Sequence, residues 1–237
     1  MKKLLAIFLV ISILFTFASC GGKEEEKTIN NNDIVENNDN QQNIENNDVA
    51  DNKQDIPEEL TIDYVKNYPV TDTSQFEVTE TEDGVIISSY IGSDEIVVVP
   101  EQINGKPVTT IEIRAFLTRD SIRAVKLSDT VKEVGREAFM GCKNLEIFIC
   151  GKNLETIKEY GLSACTSLTH IELNDGLKVL ETLAIPEAKL LEMRIPSSVE
   201  LIYGGGAFLN PELKIICEAG SYAETYATDN NLIVEVR

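Results

Sequence analysis

The chain has 237 residues, of which 43% are hydrophobic and 26% charged, and its formal net charge is −19. Such an acidic chain repels the phosphate backbones of nucleic acids, so the composition argues against a nucleic-acid-binding protein. The same charge disfavours a domain that lies flat on anionic lipid.

The first 19 residues have the features of a signal peptide. A positively charged start (Lys2-Lys3) is followed by an apolar run over residues 4–17 and then by the small pair Ala18-Ser19. The apolar run is too short to span a bilayer comfortably. Cys20 comes directly after this pair, as in the lipobox of bacterial lipoproteins. That resemblance implies lipidation of Cys20 and a membrane anchor; an ordinary secretory signal cut nearby is the alternative.

Residues 20–59 are predicted to be an acidic, Asn-rich and disordered tether. Ten of the 23 residues from Asn30 to Asn52 are Asn, and acids are interleaved with them. Too little apolar surface is present to offset the entropy cost of ordering such a segment. A flexible chain of this length has an end-to-end distance of roughly 35 Å, enough to hold a domain away from a membrane.

Residues 60–98 are predicted to form an N-terminal β cap, because solenoid ends need covering. Phe76–Val78 and Val85–Ile87 are strand-like and flank a Glu-Asp-Gly turn. Val97 and Val99 are expected to point inward from the first strand of the solenoid, and Leu60–Thr73 is a weakly patterned lead-in.

One pattern recurs with a fixed step through the region of residues 99–213. A small residue followed by an apolar one occurs five times, and we call the apolar members anchors: Phe116, Phe139, Leu162, Ile185 and Phe208. The step between anchors is always 23 residues. The fifth unit loses one residue, since Leu190 follows Ile185 by five positions where six is usual, and Gly204–Gly206 restores the step. This regularity predicts a solenoid of stacked units.

Residues 121–145, which read SIRAVKLSDTVKEVGREAFMGCKNL, resemble BspA-type leucine-rich repeats of bacterial surface proteins. Further matches are Ile195–Val199 (IPSSV), Val134-Gly135, Ala138-Phe139 and Cys142. The resemblance implies a leucine-rich-repeat-like solenoid, mainly β with short helical turns, right-handed and capped at both ends. It also implies adhesion or recognition through an extended surface.

Residues 214–237 are predicted to be the C-terminal cap. Ser221 and Glu224 fit a capping box for a short helix that ends near Asp229. Asn230-Asn231 suits a left-handed stop, and residues 232–236 alternate as a last strand.

No catalytic or metal site is predicted, and no cofactor. His170 is the only histidine, and its nearest candidate nucleophile, Cys165, is assigned to the core. No acidic residue has a spacing in the sequence that would let it orient the His170 imidazole, as a catalytic triad requires. Cys142 and Cys165 each follow an anchor by three residues, so they should lie in one ladder of small buried side chains; a disulfide between the two rungs is the alternative. No cysteine cluster has zinc-site spacing.

The outward side chains of the repeat strands form the candidate binding surface. The candidate binding residues are Lys126, Ile147, Ile149, His170, Glu172 and Arg194. Ile147 and Ile149 are expected to make an exposed apolar patch rimmed by charge. The alternative is a strand shifted by one residue, which would bury these two and expose Phe148 and Cys150.

These observations together predict a monomeric lipoprotein on the cell surface that binds a protein partner through its solenoid. A glycan-binding uptake lipoprotein is one alternative, although the chain has no Trp for sugar stacking. A non-catalytic scaffold of the cell envelope is the other.

Overall fold

Very short strands dominate the computed structural model, which describes residues 55–204, 208 and 210–237. These residues belong to one compact unit, Lys53–Arg237. The predicted signal peptide, Cys20 and nearly all of the predicted tether lie outside the described residues. Among the described helices, none is both long and apolar enough to cross a membrane.

The strands form three sheets. Sheet 1 contains β1 (Phe76–Glu80), β2 (Val85–Tyr90), β5 (Lys106–Ile111), β7 (Glu133–Val134), β9 (Thr156–Ile157), β11 (Val179–Leu180) and β13 (Leu201–Ile202), with β4 (Gln102–Ile103) beside β5. Sheet 2 contains β3 (Ile96–Val98), β6 (Ala124–Lys126), β8 (Ile147–Ile149) and β10 (His170–Glu172). Sheet 3 contains β12 (Glu192–Arg194), β14 (Lys214–Cys217) and β15 (Ile233–Val236). The helices are α1 (Ile62–Lys66), α2 (Tyr222–Asp229) and a 3-10 turn at Thr73–Gln75.

Successive units pair in parallel and in register. In sheet 2, Val125 pairs with Phe148 and Phe148 with Ile171, each 23 residues further along. Val134 and Ile157 do the same in sheet 1. Each unit up to β11 thus adds one strand to both sheets, and β12 and β14 of the later units continue the stack as sheet 3; this is the arrangement of a β-solenoid with about six turns.

The anchors form one buried column, as the 23-residue step predicts. All five lie in the same core cluster and are at most 5% exposed. The rings of Phe116 and Phe139 stack with centroids 4.6 Å apart, and Phe139 meets Phe148 edge-on at 5.1 Å. Anchor amides also donate to the next unit, for example from Phe116 N to Ala138 O at 2.8 Å. The column therefore combines apolar burial with main-chain pairing.

A left-handed residue precedes each of four anchors by two positions. Arg114, Glu137, Tyr160 and Leu183 have φ between 53° and 60°. L-residues other than Gly, Asn and Asp adopt this conformation at a cost. Since the position recurs in every one of these units, the tight turn before the anchor imposes it, and the inter-unit hydrogen bonds of the turn compensate for the strain.

Ion pairs link neighbouring units at the same 23-residue step. They include Arg114–Glu137, Arg123–Glu146, Arg136–Glu159, Lys158–Glu181 and Lys178–Glu155. Glu137 is nearly buried, and its hydrogen bond from Arg114 lowers the pKa of its carboxyl. Exposed pairs of this kind contribute little individually, but each connects one unit to the next.

The two predicted cysteine rungs are free thiols in the structure. Cys142 Sγ donates to Phe116 O at 3.1 Å, and Cys165 Sγ donates to Phe139 O at 3.3 Å. Burial raises the pKa of Cys142 to about 12 and that of Cys165 well above its ordinary value. Each thiol therefore serves the repeat as a small donor to the preceding anchor turn.

Both ends of the described solenoid are capped. At the N-terminal end, β1 and β2 form an antiparallel pair, and Tyr90 stacks on Phe116 at 5.1 Å. At the other end, Ser221 Oγ accepts from Glu224 N, and Asn231 takes a left-handed φ of 55° after α2. The predicted N-cap at Ser221 and the helix stop are confirmed; the return bond of the capping box differs, because the Glu224 carboxylate accepts from Gly220 N and not from Ser221 N.

Candidate binding surface

The strands of sheet 2 alternate as the sequence predicts. Val125 and Phe148 are fully buried in the main core, while their neighbours Lys126, Ile147 and Ile149 point to the opposite side. The alternative with a one-residue shift is wrong, because Phe148 is not exposed. The outward side of sheet 2 carries five of the six candidate binding residues, and the sixth, Arg194, lies on β12 of sheet 3.

A segment of the same chain covers much of this outward side. Residues 55–71, which we call the strap, include α1 and supply Leu60 and Val65 to a second core cluster with Ile147 and Ile149. Ile147 is 1% exposed and Ile149 4%. The expectation of an exposed apolar patch at these two residues is therefore wrong. The predicted strand register is correct, but no local pattern in the lead-in indicates that it folds over sheet 2.

Arg123 fastens the beginning of the strap to sheet 2. Its guanidinium donates to Pro57 O at 3.1 Å and to Glu58 O at 2.6 Å, and it pairs with Glu146 at 2.7 Å. Composition predicts that residues 57 and 58 belong to the disordered tether, and this is wrong because they are held against the solenoid. A bidentate guanidinium suits this role because it satisfies two carbonyls and a carboxylate together.

Further polar contacts fasten the rest of the strap. Lys126 Nζ donates to Lys66 O at 2.8 Å, and Lys66 Nζ pairs with Glu172 at 2.9 Å. Near its end, Thr71 N donates to Val98 O at 3.0 Å. Lys126 and Glu172 are therefore occupied by the strap, which removes two predicted binding residues from the free surface.

The ladder of strands is interrupted immediately beyond the strap. Within the described residues, β10 and β12 share no hydrogen bond, and sheets 2 and 3 end at these two strands. Main-chain groups alternate in direction along a strand, so those of Ile171 and Leu173 face β12, and those of Glu192 and Arg194 face β10. We call this interruption the gap.

The shortened fifth unit accounts for the gap. Leu168 follows its anchor by six residues, whereas Leu190 and Leu213 follow theirs by five. β12 and β14 come from the two shortened units and pair normally. Adjacent loops therefore differ in length only where the full-length loop before β10 is followed by the first shortened loop, before β12.

A groove of about 530 Å³ opens over the gap. Its walls are Ile62 of the strap, Thr169, His170, Ile171, Lys189, Leu191, Glu192, Met193, Arg194 and Ile216. Leu191 is 69% exposed, and Ile171 is only partly buried although the equivalent Phe148 is fully covered. This volume lies within the range of pockets that bind ligands.

Two cations in the groove, Lys189 and Arg194, have weak ion pairs or none among the described residues, although the chain as a whole is acidic. Lys189 has no ion pair in the described part of the chain, and Arg194 pairs with Asp175, whose side chain is 79% exposed. Such an exposed pair is weak. Glu192 pairs with Lys214 at 3.2 Å, but Lys214 is shared with Glu235 at 3.0 Å. The groove walls therefore offer a ligand the cations Lys189 and Arg194 and the carboxylate of Glu192.

The structure divides the six predicted binding residues into two sets. Lys126, Ile147, Ile149 and Glu172 contact or lie under the strap, whereas His170 and Arg194 line the groove. Lys189 and Leu191 are groove residues that sequence reasoning missed. The one-residue loss before Leu190 was the available signal, since a shortened loop predicts a mismatch with the preceding strand.

His170 and Cys165 do not form a catalytic pair. His170 Nδ1 contacts Thr169 Oγ1 at 2.9 Å on the surface, while the Cys165 thiol is buried and bonded to Phe139 O. Within the described residues, no group of His, Cys, Asp or Glu is arranged to hold a metal ion.

Comparisons with known proteins agree with this architecture. The model of the BspA type leucine rich repeat region matches residues 100–214 in six copies. A solved leucine rich repeat protein of T. pallidum is 30% identical with a TM-score of 0.60; the match covers 62% of this chain and 71% of that one. A leucine-rich repeat protein from Bacteroides ovatus is 19% identical with a TM-score of 0.49, and the match covers 64% of this chain and 49% of that one. A search among curated proteins gives no match.

Proposed function

The chain belongs to the BspA-type leucine-rich repeat family, and from this we propose that it is a monomeric, lipid-anchored cell-surface protein that binds a protein partner. The binding site is the groove beside the strap, with His170, Leu191 and Arg194 at its mouth. The partner is recognised without chemistry on it, as in adhesion.

The observation that carries this proposal is the uncovered apolar surface at the gap. The strap shields the outward side of sheet 2 up to Glu172, and beyond it Leu191 stands 69% exposed beside the partly buried Ile171. An exposed apolar residue in a groove with a charged rim is typical of a protein contact site. The groove walls contain no Phe, Tyr or Trp, which gives a glycan less support than a protein.

A photo-cross-linking experiment tests the proposed site. A benzoylphenylalanine at Leu191 of the full chain, irradiated on intact cells that carry the protein, is expected to give a discrete adduct with one partner protein. The same group at Ile113, which is 48% exposed on another part of the surface, is the matched control and should give none. Adducts of equal yield at both positions, or none at Leu191, would contradict the proposal.

The anchor is proposed from Cys20 and its flanking residues, which lie outside the described part of the chain. Two or more acyl chains hold a protein stably on a membrane, whereas a single chain does so only marginally. We expect Cys20→Ala to abolish labelling by an alkynyl fatty acid and to move the protein from the membrane fraction to the soluble or secreted fraction. Cys217→Ala, a buried cysteine of the solenoid, should leave both measurements unchanged. Retained labelling in the Cys20→Ala variant would refute the anchor.

A further inference from the structure

The strap is attached to the solenoid separately from the main core. Its buried side chains, Leu60 and Val65, belong to the second cluster, and no strap residue belongs to the cluster that contains the anchors. The strap can therefore leave sheet 2 without opening the core of the solenoid. A segment that is held by few buried apolar contacts and by exposed hydrogen bonds unfolds locally at a lower free energy than the whole domain.

Three features weaken the attachment of the strap. The ion pair between Lys66 and Glu172 is exposed, so it contributes little to stability. The Tyr64 hydroxyl is buried without a hydrogen-bond partner among the described residues, which costs free energy in the attached state. A cavity of about 380 Å³ separates the strap from β10, and its walls are residues 59–63, Lys66, His170 and Glu172. The strap is thus incompletely packed on the side that faces the groove.

The strap is also the first part of the described chain to receive a pull from the N-terminal side. Under the proposed function, such a pull arises when a partner held in the groove moves away from the membrane that holds the anchor. Because the load enters at one end of the strap, it meets first the hydrogen bonds from Arg123 to Pro57 O and Glu58 O, and only then Leu60 and α1. The units of the solenoid are joined instead by main-chain pairing in two sheets and by a common core, so they resist the same load together.

We infer that the strap is a tension-released wall of the binding groove, which comes off sheet 2 before the solenoid yields and thereby loosens the hold on the partner. This inference rests on the proposed function and adds a regulation of its site. Ile62 packs against the second cluster and also lines the groove beside His170. Release of the strap removes Ile62 from the groove, so a partner that contacts it is bound less tightly while the chain is under tension. By linkage, a bound partner stabilises the attached strap by the same factor.

Optical tweezers test the order of release without a partner. One handle is attached through an enzymatic tag before Cys20 and the other through a clickable amino acid at Leu191, so the load runs from the proposed anchor to the groove. We expect the first transition to reverse on relaxation and to lengthen the chain by no more than about 60 Å, the extended length of residues 55–71. In Val65→Asp it should move to lower force or disappear, whereas Val70→Asp, the same change at a strap position that is 62% exposed, should retain it. A first transition of about 80 Å or more, the extended length of one 23-residue unit, would overturn the inference.

The cross-link at Leu191 tests the coupling between the strap and the groove. On intact cells, Val65→Asp should lower the adduct yield by up to about five-fold, the loss expected when one half-buried Ile contact is removed, and Val70→Asp should leave the yield unchanged. If proteolysis shows the strap of Val65→Asp to be open and the yield is unchanged or higher, the inference fails and the proposed function stands. If the unsubstituted chain gives no adduct, the proposed function fails and the coupling to a partner with it, while a short first transition in the tweezers would still establish that the strap is released first.

Discussion

Replacement of Phe139 by alanine is expected to lower the free energy of unfolding by about 3–5 kcal/mol. The side chain is fully buried, stacks on Phe116 and meets Phe148 edge-on, so its loss removes contacts in three units and leaves a cavity. For a folded unit of this size, that change corresponds to a drop in the melting temperature of roughly 6–20 °C. Thermal unfolding followed by circular dichroism measures it.

The matched control for this variant is Ile113→Ala. Ile113 lies in the preceding unit and is 48% exposed, so its truncation should change stability by no more than about 0.5 kcal/mol. A loss of less than about 1 kcal/mol in Phe139→Ala would show that the anchor column is not the main apolar support of the solenoid.

Introduction of a carboxylate at Val65 is expected to detach the strap while the solenoid stays folded. Val65 is fully buried in the cluster with Ile147 and Ile149, and no basic side chain belongs to that cluster. α1 has only five residues and is too short to be stable without this packing. In Val65→Asp we expect the open fraction of the strap to rise about 100-fold, because an unpaired buried charge costs several kcal/mol.

Limited proteolysis measures this change. Chymotrypsin should cut after Tyr64 far faster in Val65→Asp, and the remaining fragment should stay intact. Asp63→Asn changes an exposed residue of the same helix and serves as the control. Hydrogen exchange at Ile147 and Ile149 should increase in the Val65 variant alone. Equal cleavage rates in both variants would mean that the strap is held by its polar contacts and not by Val65.

The repeat step predicted the solenoid because it is a property of spacing. Five anchors at equal intervals can be buried together only when units stack, and no other feature of the chain competes with that requirement. The same spacing correctly gave the inward positions of Val125 and Phe148 and the thiol ladder at Cys142 and Cys165.

The binding surface was harder to predict because it depends on a segment without periodicity. Residues 55–71 carry scattered apolar side chains, and nothing local indicates which surface Leu60 and Val65 will cover. The left-handed residues at Glu137 and Tyr160 were missed for a related reason. Neither residue type favours positive φ, so the inter-unit hydrogen bonds, rather than intrinsic preference, decide the conformation.

The ion pairs at the 23-residue step also bear on how such a chain can change in length. Arg123 pairs with Glu146, and Lys178 with Glu155, so each pair joins equivalent rows of adjacent units. These partners do not recur along a row: the row of Arg114 and Glu137 continues with Tyr160, and that of Arg123 and Glu146 with Thr169. Gain or loss of 69 nucleotides, one whole unit, therefore keeps the strands in step and changes individual ion pairs, whereas a change of a single codon displaces a strand, as between β10 and β12.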